Sequence, residues 1–145
     1  MRCFVIPPTL RLAVTISILP LSAAEAMFVG NYATWNKMPS ATQEAYLVGV
    51  MDSWTRTAAP GEPSWMKVQR TGINKCLREQ EIHSGALVDL VNSHYKTHTP
   101  DWRLSPAVVV KDVVMGACLA DVNGEREKAG LPPWERKTGQ ISQDR

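Results

Sequence analysis

Cys76 and Cys118 bracket two apolar-patterned segments joined by a proline-marked turn. The chain has one other cysteine, Cys3. Cys3 lies in a stretch with the form of an export signal, so the mature chain has a single possible intramolecular pairing. An oxidising compartment lets that bond form. On the chain-entropy account, closing a loop of this length is worth about 4 kcal/mol. The alternatives are two buried free thiols or a bridge between chains.

Residues 1–26 carry the marks of a secretory signal peptide. Arg2 and Arg11 supply the positive flank, and Leu12 to Leu21 (LAVTISILPL) form the apolar run. Ala24-Glu25-Ala26 has the small-x-small form of a cleavage site. The run is too short to cross a bilayer, which needs about 20 apolar residues. No cysteine follows the cleavage site, which argues against lipid attachment at a new N-terminus. The expected destination is periplasmic or secreted, with no membrane contact after signal cleavage.

Removing residues 1–26 from the 145-residue chain leaves 119, enough for one domain. The whole chain has a formal net charge of +2. No basic stripe or block of like charge marks a nucleic-acid or membrane-surface binder. A domain of this size has little apolar surface to spare, which suits a covalent staple.

Residues 27–39 (MFVGNYATWNKMP) lack a helical period and are expected to form an extended lead-in, with Tyr32 or Trp35 packing on the domain. A helical domain over 40–122 comes next. Its first helix runs to about Arg56, with Ser40 and Gln43 as a capping box. Tyr46, Leu47, Val50, Met51 and Trp54 share one face. Gly49 in this helix marks either a close helix contact or a tolerated surface position. Residues 57–66 hold Pro60, Gly61 and Pro63 and read as a loop. Trp65 in that loop either anchors a partner or folds back on the core. A short helix over 67–76, interrupted near Thr71-Gly72, leads to Cys76.

Leu87, Leu90, Val91, His94 and Tyr95 define an amphipathic helix over roughly 85–96, with Ser84 as N-cap. Pro100 discourages its continuation. Residues 101–104 form a turn carrying Trp102, the second candidate anchor. Ser105-Pro106 restarts a helix. That helix is apolar nearly all round to residue 122 and belongs in the centre of the domain. Asn123-Gly124 reads as its stop. Residues 123–145 are expected to be a polar, mobile tail with docking points at Leu131 and Trp134. The expected fold class is all-α, a small orthogonal or bundle-like helical domain with one disulfide.

The pattern contains no catalytic set. There is no GxSxG, no Gly-rich phosphate loop and no CxxC. His94 and His98 are four apart, as zinc ligands on a helix can be, and His83 is a third candidate. The helix ends at His98 and no spacing fixes a third ligand. His94 lies on the apolar face, where a satisfied core histidine is the usual case. Cys76 with His94 as base is a formal nucleophilic pair, but export favours oxidation of the thiol. The carboxylates are scattered. The chain is expected to be no enzyme and to use no metal or other cofactor.

The ordered motifs support a resemblance. They are Ala45-Tyr46-Leu47-x-Gly49-Val50-x-Asp52, Cys76, Leu87-Val88-x-Leu90-Val91-x3-Tyr95, the turn His98-Thr99-Pro100, and Cys118. Over residues 45–118 the chain resembles the Rap/Tai family of type VI secretion immunity proteins. It differs in having no cysteine near the first helix, in Thr99 between the His and Pro, and in lacking Phe-Pro before Cys118. The resemblance implies an all-α periplasmic protein, often a homodimer, that blocks a peptidoglycan-amidase effector. The expected partner is therefore a secreted cell-wall hydrolase. A different class, the acid-activated periplasmic stress chaperone, shares the size and the single disulfide. The near-zero net charge of this chain gives such a protein little acid-driven repulsion.

Overall fold

The computed structural model describes residues 28–56, 60–135 and 141. The expected export signal and its cleavage site lie outside the described residues. Among those described, six α-helices and one 3-10 turn make up the regular structure, with no strand. The helices are α1 (Tyr32–Trp35), α2 (Ser40–Thr55), α3 (Ser64–Glu79), α4 (Ser84–Thr97), α5 (Pro106–Ala117) and α6 (Leu119–Lys128); the 3-10 turn spans Thr99–Arg103. The chain is an all-α domain with one disulfide.

The lead-in is not extended throughout. Asn31 caps α1 by accepting the Thr34 N–H on its side chain. Trp35, fully buried, donates its indole N–H to Asn92 Oδ1 at 2.8 Å. A buried indole needs that partner, and the bond fixes α1 against α4. The predicted capping box also differs. Pro39 is the N-cap of α2 and makes no side-chain bond. Gln43 turns inward instead and donates to the Trp35 carbonyl at 2.9 Å. The expected face of α2 does pack: Leu47 and Met51 are buried, with Tyr46, Val50 and Trp54 against the same core.

α3 is longer than the sequence suggested. It begins at Ser64, so Trp65 stands on its first turn rather than in a loop. Gly72 does not interrupt the helix; it is the point where α6 comes closest. A Cβ built there would lie 2.5 Å from the Val122 Cα. Gly49 has open space around it, so it is the tolerated surface glycine. Lys75 on α3 pairs with Asp121 on α6 at 2.8 Å.

α4 buries Leu87, Val88, Val91, His94 and Tyr95. Its N-cap is His83, whose Nδ1 accepts from Ala86 N–H. The neighbouring Ser84 hydroxyl donates to Glu44 on α2. α2 and α5 flank α4, and α3 lies along α6. Val109, Val110 and Val114 are fully buried on α5.

The predicted single helix over 106–122 breaks at Cys118, whose backbone (φ −96°, ψ 8°) departs from helical values. Cys118 bonds to Cys76 there, with a Cα–Cα separation of 5.5 Å. Intramolecular pairing is thus the outcome, and it staples α3 to the α5–α6 junction. α6 runs through Asn123-Gly124 to Lys128, so that pair is not a stop. The reason lies in residues 131–134. Asn123 accepts the Trp134 N–H and donates to its carbonyl, at 2.7 and 3.0 Å. Arg126 donates from Nε to the Pro132 carbonyl and lies 4.4 Å over the Trp134 ring. Leu131–Trp134 therefore straps back over α6. The Arg126 Nη1 is buried with no hydrogen-bond partner, and the aromatic face offsets part of that cost.

Candidate binding site

The 3-10 turn owes its shape to Tyr95. The Trp102 indole N–H donates to the Tyr95 carbonyl at 2.8 Å. The Tyr95 hydroxyl donates to the Leu104 carbonyl, also at 2.8 Å. One residue of α4 thus ties the turn at two points. A third tie lies at Asp101, which is fully buried. Its Oδ2 is 2.9 Å from His94 Nε2 and accepts the Ile141 N–H at 2.8 Å. Burying a carboxylate this deeply demands such partners.

The Trp102 side chain remains 45% exposed despite these ties. Its ring stacks on Tyr32 of α1, with centroids 4.8 Å apart and planes 30° from parallel. Tyr32 in turn lies 5.0 Å from the Tyr95 ring. Trp102 is therefore held in one orientation with apolar surface facing water. Because its N–H is already used, the ring offers a contact surface and no free donor.

A groove of about 490 Å³ runs between α1 and the turn, lined by Asn31, Tyr32, Asn36, Lys37, Trp102 and Arg103. A second groove of about 390 Å³ shares Asn31, Ala33 and Lys37 with it and continues to Met38 and Pro39. α1 is thus a ridge with a furrow on each side.

The two predicted anchors have different settings. Trp65 is 42% exposed on α3 and meets Trp134 edge-on, with centroids 6.1 Å apart. Its support is the Leu131–Trp134 strap. Trp102 is supported by α1 and α4. The structure does not pair them.

The histidines show why spacing alone is a weak signal. His94 is buried and bound to Asp101, as a core histidine is. His98 stacks on it at 4.4 Å and hydrogen-bonds to Thr97 through Nδ1. His83 is occupied as a helix cap. Among the described residues, no group of three or more His, Cys, Asp or Glu could hold a metal ion. Asp101 was not legible as a structural anchor; its partners come from α4 and from Ile141. No helix among the described residues is long and apolar enough to cross a membrane.

Comparison with known protein families, with curated proteins and with solved structures finds no match.

Proposed function

We propose that this chain is an exported binding module that neutralises a secreted cell-wall hydrolase, acting as the Rap/Tai immunity proteins it resembles do. The observation that carries the reading is Trp102: a large aromatic, exposed beside a groove, with its orientation fixed by Tyr95 and Tyr32. Tryptophan is over-represented among residues that dominate binding energy. A side chain already held in place loses little further entropy on association. Inhibition is steric: the rigid helical scaffold presents the ridge of α1 and the turn to the enzyme's cleft and excludes substrate. Trp65 is a second, separate contact. The Cys76–Cys118 bond is consistent with an oxidising compartment. The periplasm is the proposed location, with a mature chain beginning at Met27.

A stable complex of this kind buries about 1,200–2,000 Å² in total. Co-expression in the periplasm with an exported hydrolase encoded beside this chain's gene should prevent lysis, and the two proteins should co-elute on gel filtration. Trp102→Ala should cost at least about 2 kcal/mol of binding. Lysis at an undiminished rate, with no complex on the column, refutes the reading.

A further inference from the structure

The groove beside Trp102 has an unbalanced supply of hydrogen-bonding groups. Asn31 uses its side-chain oxygen to cap α1, which leaves its amide NH2 for a ligand. Asn36 uses its side-chain oxygen to accept the Tyr32 hydroxyl at 3.3 Å, which leaves its NH2 as well. Lys37 and Arg103 are exposed and add a point charge and a planar fork of donors. No carboxylate is among the residues lining the groove. The one acidic residue of the turn, Asp101, is buried and committed to His94 and Ile141.

Among the described residues three lysine or arginine side chains form ion pairs: Arg70 with Glu62, Lys75 with Asp121 and Lys128 with Glu125. Arg56, Lys67, Arg78, Lys96 and Lys111 form none, so the lack of a partner counts here only together with the amide groups and Trp102. Among the described residues, Lys37 and Arg103 have no ion-pair or side-chain hydrogen-bond partner. Two cations and two amide NH2 groups therefore flank an aromatic ring with no internal acceptor to satisfy them.

We infer that the groove between α1 and the 3-10 turn is a carboxylate subsite that takes an acidic side chain of a partner protein, with an adjacent apolar side chain stacked on Trp102. This rests on the reading of the Trp102 face as a protein contact and adds the chemistry of what it contacts. Arg103 supplies the fork that suits a carboxylate in two-point contact. Lys37 supplies charge from across the groove. Trp102 supplies the apolar wall that lowers the local dielectric and strengthens both. The partner's segment is thus acidic and apolar in alternation.

The test is an amide-resolved NMR titration of the intact, oxidised protein with two peptides, acetyl-Gly-Phe-Glu-Gly-amide and its Gln counterpart. The Glu peptide should shift the amides of residues 31–37 and 101–104 and bind about fivefold more tightly than the Gln peptide. Raising the salt from about 0.05 to about 0.5 M should erase most of that difference. Lys37→Glu combined with Arg103→Glu should reverse the preference, and Lys37→Gln with Arg103→Gln should abolish it. The spectra of both variants report whether the fold is kept. Equal binding of the two peptides, no binding, or shifts elsewhere on the molecule overturn the inference. Tighter binding of a chitin trisaccharide at the same amides also overturns it, in favour of a glycan. If peptide selectivity holds but lysis is not prevented, the hydrolase reading fails alone. If lysis is prevented without selectivity, only the subsite fails.

Discussion

Gly72 of α3 and Val122 of α6 meet with no room for a side-chain carbon between their backbones. The site that a Cβ would occupy on Gly72 is 2.5 Å from the Val122 Cα and 2.8 Å from its amide nitrogen. Backbone atoms cannot rotate out of the way as a flexible side chain does. Gly72→Ala should therefore destabilise the fold by about 1–3 kcal/mol, although alanine is the better helix former. Gly49→Ala, in open space on α2, should stabilise by up to about 1 kcal/mol. Urea denaturation of the pair reads both signs, and a loss at both positions would contradict the packing of α3 on α6.

The Cys76–Cys118 bond closes a loop across a sequence separation of 42. Oxidised protein should show no free thiol, and Cys118→Ser should lower stability by about 2–5 kcal/mol. Two titratable thiols in the native protein would remove the staple.

Val114 is fully buried on α5, whereas Asp89 is exposed on α4. Val114→Asp places a charge in the core without a partner and should prevent folding. Asp89→Ala should change the melting temperature by little. Equal melting temperatures for wild type and Val114→Asp would overturn the assignment of the core.

Alkaline pH offers a separate probe. Burial raises the phenol of Tyr95 well above its ordinary value, with Tyr46 and Asp101 adding to the effect. Burial also raises Tyr46. A phenol that ionises more readily in the unfolded chain keeps its full contribution to stability below about pH 10. That contribution falls as pH rises above this value. Tyr95→Phe should cost about 1 kcal/mol near neutral pH through the lost bond to Leu104. The gap between wild type and Tyr95→Phe should narrow as pH rises from about 10 to about 12. A constant gap across that range would mean that Tyr95 ionises equally in both states.

The helix faces of α2 and α4 were legible because apolar periodicity reports burial directly. Leu47, Met51, Leu87, Val91 and Tyr95 all lie where that period places them. The start of α5 was legible from Ser105-Pro106. α1 was not, because four residues are too few to show a period; its capping Asn31 was the only local sign. The start of α3 was hidden by Pro63, which has the look of a loop residue although it stands at the N-cap. The break at Cys118 has no proline to announce it and coincides with the disulfide. Asn123-Gly124 misled because the strap that holds Asn123 begins only after the helix has ended. The groove shows the same limit. Trp102 was visible as an unusual turn residue, but Lys37 and Arg103 join it only through the packing of α1 on the turn.

The connection between α3 and α4 passes through Glu81, which is exposed and has φ 51°, a conformation that a non-glycine residue seldom adopts. Exposed turns of this kind are where proteases cut. Glu81 also lies inside the loop that Cys76 and Cys118 close. A cut there would yield two pieces that still travel as one molecule, separating on a gel only after reduction. The bond thus turns a cut at this turn from a loss of half the domain into a nick within one covalent molecule.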